Sequence, residues 1–194
     1  MYFYHIAKFI VNVVFRIVYR IEVVGRKNIP KEGRIVLCSN HISNLDPIML
    51  AIAVPRPISY MAKKELFQNK LLGKLLLTLG AFPVDRQGSD LSAIRNSLKI
   101  LKEEKILGIF PEGTRVDKMN LENAKSGIGL IAIKGKSPVV PVYIDANYRV
   151  FSKVKIIIGQ PINFDEYKDI KLGTEEYREI SKDIMKSIYG LKNI

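Results

Sequence analysis

The sequence predicts a single α/β domain: a mixed, mostly parallel sheet of about seven strands covered by helices, preceded by an amphipathic interfacial helix. Three observations carry this expectation. Short apolar, β-branched runs alternate with longer stretches whose apolar residues recur every three or four positions. At 194 residues the chain is long enough for one such core and short for two. No repeat, low-complexity tract or Pro/Ser-rich linker divides it.

In the first 20 residues the polar positions His5, Lys8, Asn12, Arg16 and Arg20 recur every three or four residues, while nearly everything else is apolar. On a helix they make one narrow stripe. A membrane span needs about 20 mostly apolar residues, and Lys8, Asn12 and Arg16 fall in the middle of this one. A secretory signal is not expected either, because an uninterrupted apolar core and a small-residue cleavage site are missing. The segment reads as a helix lying in the membrane interface, its tyrosines and basic side chains at headgroup level. The rival reading, a helix packed on its own domain, fits an apolar arc this wide less well. The expected division is residues 1–20 as a membrane-associating helix and 21–194 as the globular domain.

Strands are expected at 20–24, 34–39, 58–62, 82–85, 105–110, 138–144 and 153–159. Helical patterns lie between them. The first, 46–53, opens on Asp46-Pro47, an ordinary helix start with an N-cap aspartate and proline at the first turn. The second, 64–79, is greasy yet carries Lys70 and Lys74. It fits a core helix or a segment touching an acyl chain or bilayer. In 89–104 a Ser89-Asp90 cap precedes Leu91, Ile94, Leu98 and Leu101 on one face. The fourth, 124–135, ends at Gly135 before Pro138. In 174–190, Tyr177, Ile180, Ile184 and Ile188 share a packing face. In such sheets ligands bind beyond the carboxyl ends of strands. His41, Arg86 and the segment Glu112 to Arg115 all fall at such ends.

Lys and Arg number 31 against 19 Asp and Glu, a formal charge of +12 that calls for an anionic partner. Neither a zinc-finger spacing nor an RNP-type aromatic block is present, so nothing beyond charge favours nucleic acid. The greasy first helix favours an anionic membrane surface. Cys38, the one cysteine, continues the apolar run Ile35-Val36-Leu37 and reads as a small core residue. Two motifs are decoys. Gly127-Ile128-Gly129-Leu130-Ile131-Ala132 has the glycine spacing of a dinucleotide fingerprint without a preceding strand, and Gly129 to Gly135-Lys136-Ser137 has one residue too many for a P-loop. No Gly-x-Ser-x-Gly elbow supports a serine hydrolase.

The chemistry-bearing segment is Ser39-Asn40-His41-Ile42-Ser43-Asn44-Leu45-Asp46-Pro47. Histidine is the side chain best suited by its own pKa to take a proton near neutral pH. A carboxylate in reach fixes its tautomer and stabilises the imidazolium. His41 is therefore a candidate general base and Asp46 its orienter, against the plainer reading of a loop histidine beside a capping aspartate. With two oxygens, Asp46 has one for the cap and one for the ring.

Further along come Gly80-Ala81-Phe82-Pro83-Val84-Asp85-Arg86, Gly108-Ile109-Phe110-Pro111-Glu112-Gly113-Thr114-Arg115 and Val140-Pro141-Val142-Tyr143-Ile144. With Asn40-His41-x4-Asp46, in this order and spacing, they resemble the four blocks of the glycerolipid acyltransferases. Lys64-Glu65-Leu66 and Gly159-Gln160-Pro161-Ile162 are similar to that family as well. The likeness spans roughly residues 20–165, departing at Val116, where a small polar residue is common, and at Pro83.

What the resemblance implies is transfer of a fatty acyl group from a thioester, on acyl-CoA or acyl carrier protein, to the free hydroxyl of lysophosphatidic acid. The thioester is already activated, so neither a metal, another cofactor nor a covalent intermediate is required. His41 would act as base with Asp46 behind it, and Asn40 or a backbone N–H near the helix start would face the oxyanion. Arg86 and Arg115 would bind the phosphate, since arginine presents a planar fork to its oxygens; Lys64 and Lys125 are weaker candidates. Glu112 would accept from a glycerol hydroxyl or from an arginine that it aims. Gly113 and Thr114 complete that binding block, Gly113 by permitting a tight turn. The enzyme would be monotopic, on the cytoplasmic face of a membrane. Two alternatives stand beside this: a related acyltransferase with an aminolipid or other lysophospholipid as acceptor, and a non-catalytic basic membrane-binding protein.

Overall fold

A computed structural model describes residues 2–84, 91–116, 120–167 and 170–194. The chain opens with helix α1 (Tyr2–Val18) and strand β1 (Arg20–Val24), then β2 (Ile35–Ser39), α2 (Asp46–Ala53) and β3 (Ile58–Lys63). Helix α3 (Lys70–Thr78), β4 (Phe82–Val84), α4 (Leu91–Lys102) and β5 (Ile106–Ile109) follow. It closes with α5 (Gly127–Lys134), β6 (Val139–Ala146), β7 (Lys153–Ile158) and α6 (Thr174–Gly190). Each expected strand is present within two residues at either end over the described residues. The second helical stretch differs. A 3-10 turn at Lys64–Phe67 precedes α3, because Asn69 stops the first piece and caps the next by accepting from the N–H groups of Leu71 and Leu72. The Ser89-Asp90 cap lies outside the described residues.

The seven strands form one sheet in the order β1-β7-β6-β2-β5-β3-β4. All pairs are parallel except β6 with β7, which form an antiparallel hairpin in which Ala146 faces Val154. That single reversal matters for the site. It brings the starts of β1 and β7 to the same rim of the sheet as the carboxyl ends of β6, β2, β5, β3 and β4.

Strand residues alternate between two cores, as a pleat buried on both faces requires. Ile35, Leu37, Val140, Val142 and Ile144 point toward α1 and α2, where Met49 and Leu50 are fully buried. Val36, Cys38, Leu107 and Tyr143 point toward α4, α5 and α6, meeting Leu101, Ile131 and Ile184. Burial pushes the Cys38 thiol far above its usual range, so it is an inert core residue. Leu91, expected on the packing face of α4, is instead exposed. It sits at the helix start, before the face reaches the core at Leu101.

Helix α1 packs by one edge only. Val11, Phe15 and Val18 join the core, and Lys8 lies on that same inner side, donating to the carbonyl of Val54. Arg20 is not part of the helical stripe but the first residue of β1. The outer face presents Ile6, Phe9, Ile10, Val13, Val14 and Ile17, the last of them 69% exposed. Helix α3 likewise leaves Leu71 85% exposed, with Leu75 and Leu77 beside it. No helix among the described residues is long and apolar enough to cross a membrane.

Candidate active site

Strand β2 ends at Ser39, paired with Val142 of β6. Asn40 then holds the neighbouring strand with its side chain. Its Nδ2 donates to the carbonyl of Ile144 at 2.9 Å, and its Oδ1 accepts from the Ile144 N–H at 2.7 Å. The amide expected to face an oxyanion is thus engaged by the sheet, at a position only 2% exposed. The backbone is released one residue early and turns outward to present His41.

His41 Nδ1 lies 2.8 Å from Asp46 Oδ2. The same oxygen accepts the N–H groups of Ile42 and Ser43, each at 2.7 Å, and Oδ1 accepts the hydroxyl of Tyr148 at 2.6 Å. Asp46 does not cap α2 as expected. Its carboxylate turns back over the loop, and four donors fill its acceptor sites in a fully buried position. Burial and the Asp46 carboxylate push the Tyr148 phenol far above its usual range, so it remains a proton donor at any physiological pH. With a carboxylate at Nδ1, the neutral imidazole carries its proton there and offers a lone pair at Nε2. Among the described residues nothing hydrogen-bonds Nε2, and the side chain keeps 11% of its surface open.

The ring is also fixed by stacking. Its face lies on Phe110, centroids 4.2 Å apart and planes 21° off parallel, and Phe110 lies parallel to Tyr60 behind it at 6.3 Å. Gly108 makes room for this stack, since a Cβ there would come 2.4 Å from the Tyr60 ring. The Tyr60 hydroxyl in turn donates to the carbonyl of Pro47 at the start of α2. The β5 loop is tied to this one by the Val116 N–H, which donates to the His41 carbonyl at 2.9 Å.

Glu112 is 4% exposed and has no arginine partner among the described residues. Its Oε1 accepts the Tyr189 hydroxyl at 2.6 Å, while Oε2 is buried with no hydrogen-bond partner. Burial raises its pKa, opposed by the Tyr189 hydroxyl, its own backbone and His41. Gly113 adopts φ +66, which glycine takes without strain, and the Lys125 ammonium lies about 3.6 Å from where a Cβ would stand. Thr114 and Arg115 are exposed, and Arg115 pairs with no described residue. Arg86 lies outside the described residues, two positions after β4 ends. Strand register aligns the ends of β2, β5, β3 and β4, so His41, Glu112 and Arg115 share one rim. Among the described residues no group of three His, Cys, Asp or Glu side chains could hold a metal ion.

Comparison with known proteins bears on this arrangement directly. A family model described as Acyltransferase matches residues 20–145, the span from β1 through β6 that contains every residue of the His41–Asp46 and Glu112 clusters except Tyr148 and Tyr189. The chain belongs to this acyltransferase family. It is 40% identical over 149 residues to a 1-acyl-sn-glycerol-3-phosphate acyltransferase of Bacillus subtilis, the alignment covering 74% of each chain. A protein of the same name from Streptococcus pneumoniae is 32% identical over 140 residues, and there the match spans about half of that relative, 52% against 69% of this chain. The solved 1-acyl-sn-glycerophosphate acyltransferase of Thermotoga maritima superposes with a TM-score of 0.68 at 27% identity, covering 89% of this chain and 72% of that one. The likeness thus extends from the four blocks to the whole sheet.

Two site residues of this acyltransferase escape sequence reading. Tyr148 follows β6 and Tyr189 lies in the last turn of α6, far in sequence from the groups they touch. The only advance signal was chemical: a buried Asp46 and a buried Glu112 each need a donor, and tyrosine is a donor that fits a mostly apolar wall.

Proposed function

We propose that the chain transfers a fatty acyl group from an acyl thioester to the free hydroxyl of lysophosphatidic acid, giving phosphatidic acid at a membrane surface. The observation that carries this reading is the His41 side chain: Nδ1 held by a saturated Asp46, one face held by Phe110, and Nε2 without a described partner. In the proposed step Nε2 takes the hydroxyl proton as the oxygen attacks the thioester carbonyl. Asp46 stabilises the imidazolium, which returns its proton to the departing thiolate when the tetrahedral intermediate collapses. Both substrates meet in one site, so alignment removes further barrier without an acyl-enzyme.

The acceptor's phosphate is assigned to Arg115, with Arg86 and Lys125 as further cations, and the unpaired Glu112 Oε2 to a glycerol hydroxyl. Gly113 and Thr114 shape the turn between them. The relatives' names support lysophosphatidic acid as the acceptor. The exposed apolar face of α1 and the +12 charge support a monotopic seat on an anionic bilayer. The test is release of free thiol from long-chain acyl-CoA or acyl carrier protein, with and without lysophosphatidic acid, in detergent. Release that depends on the acceptor and disappears in His41→Ala is the expected result. Release that survives that change would remove His41 from the mechanism.

A further inference from the structure

On the opposite flank of the rim from Arg115, an open cavity of about 500 Å³ lies where α1 meets β1 and β7, walled by Arg16, Arg20, Lys153, Glu22, Tyr19 and Phe151. Three cations face one carboxylate. Lys153 is paired with Glu22 at 2.6 Å, and Arg16 is steadied by Asn12 at 3.0 Å through Nε, which leaves its terminal nitrogens uncommitted. The Arg20 guanidinium has no hydrogen-bond or ion-pair partner among the described residues. Two strands, β7 and β6, separate Arg20 from β2 and hence from His41, a gap of about 14 Å at ordinary strand spacing.

The cavity is bordered by apolar surface. Ile17 is exposed near the end of α1, three residues before Arg20, and the β6–β7 hairpin carries Val150 and Phe151, 65% and 67% exposed, at its tip. The Phe151 N–H donates to the Val18 carbonyl and the Arg20 N–H to the Ser152 carbonyl, so the tip is bound to the end of α1. Phe151 also holds φ +62, a left-handed conformation that costs a non-glycine residue about 1–3 kcal/mol. The side chain stays exposed on the cavity wall it shares with Arg16 and Arg20.

We propose that this cavity is a seat for the phosphate of an intact anionic phospholipid, distinct from the acceptor's phosphate site. Arg16 and Arg20 grip the headgroup oxygens from two sides. Ile17, Val150 and Phe151 enter the acyl layer next to it, which turns the catalytic rim toward the bilayer. The chemistry requires both parts: guanidinium groups for the phosphate, and an apolar border that free phosphate does not use. The inference rests on the proposed membrane-surface function for its source of lipid, but its test reads binding rather than turnover.

The experiment is vesicle flotation of the full chain, with phosphatidylcholine vesicles containing phosphatidylglycerol against phosphatidylcholine alone. Arg16→Gln with Arg20→Gln should weaken binding to the anionic vesicles roughly 30-fold, about fivefold for each basic group at the surface. Lys99→Gln, on α4 near the opposite rim, should leave it unchanged. Arg16→Gln alone, on an exposed helix face, should lose about fivefold without risk to the fold. Equal losses for Lys99→Gln, or full binding by the double variant, would overturn the seat. Inorganic phosphate that binds the wild type through these arginines without vesicles, together with equal flotation on anionic and phosphatidylcholine vesicles, would overturn the lipid in favour of free phosphate. Turnover of detergent-dispersed substrate should be unaffected by Arg16→Gln. A wild type that binds vesicles through these arginines yet releases no thiol would sink the proposed function and leave the seat standing.

Discussion

The two loops that build the rim are finished to different degrees. After β2, every side-chain polar atom of Asn40 and Asp46 has a partner, and His41 is held at Nδ1, on its face and at its carbonyl. After β5, Glu112 buries an oxygen with no partner, while Thr114 and Arg115 reach into solvent. The contrast separates two tasks. A general base works only in one tautomer and direction, so the protein fixes it completely before substrate arrives. A binding loop that closes its own hydrogen bonds has nothing left to offer, so this one keeps its acceptor and its cation open.

Changes in the two loops should therefore differ in kind. His41→Ala should lower turnover about 10²–10⁴-fold with little effect on folding, read by thiol release beside thermal denaturation. Retention of near-normal turnover would erase the contrast. Asn40→Ala should act on stability instead. It strands the N–H and carbonyl of buried Ile144, at roughly 1–3 kcal/mol each, a large part of a typical domain's margin. Denaturant melts would show it. Tyr148→Phe removes one charge-assisted bond from Asp46. It should lower kcat about tenfold, equivalent to the lower end of the roughly 1.5–3 kcal/mol such bonds contribute, with KM for the acceptor unchanged. A change in KM alone would move Tyr148 to the binding side.

On the open loop, Arg115→Gln should raise KM for the phosphate-bearing acceptor roughly tenfold, as for one lost charge-assisted contact, and leave melting unchanged. The smallest effect is expected from Glu112→Gln, and it should appear as a pH dependence. The raised pKa of Glu112 means the native state holds this proton more tightly than the unfolded chain. Stability therefore falls as pH rises from the ordinary carboxyl value through the native one, and stays lower above it. The glutamine variant lacks that fall, so its melting temperature should gain on wild type toward neutral pH and show no gain in acid. Parallel pH profiles would mean the carboxyl is not held in a costly place.

Much of this was legible in sequence, for identifiable reasons. The strands were readable because a sheet buried on both faces leaves uninterrupted runs such as Ile35 to Cys38 and Val139 to Ile144. His41 and Asp46 were readable because both lie within one turn-length segment. What sequence hid was contact across distance. Asp46 looked like a helix cap because Asp-Pro usually is one, and only Tyr148, about a hundred residues away, accounts for its second oxygen. Asn40 looked like an oxyanion donor because its neighbour is the base. Helix α1 divided the prediction: its apolar outer face is present, yet Lys8 lies beneath it on Val54 and not at a headgroup.

Asn40 carries one more consequence. A primary amide presents a carbonyl and an N–H side by side, the same pair a peptide unit offers, and here it stands in for the peptide that β2 would have supplied had the strand continued. The sheet reads one more rung than the backbone provides, and the backbone is free to leave. Only asparagine has both groups at this reach: aspartate lacks the donor, glutamine overshoots, and leucine fills the space but mutes the rung. Position 40 is in effect a counterfeit residue of the strand, and the departure of His41 from the sheet depends on its passing as genuine.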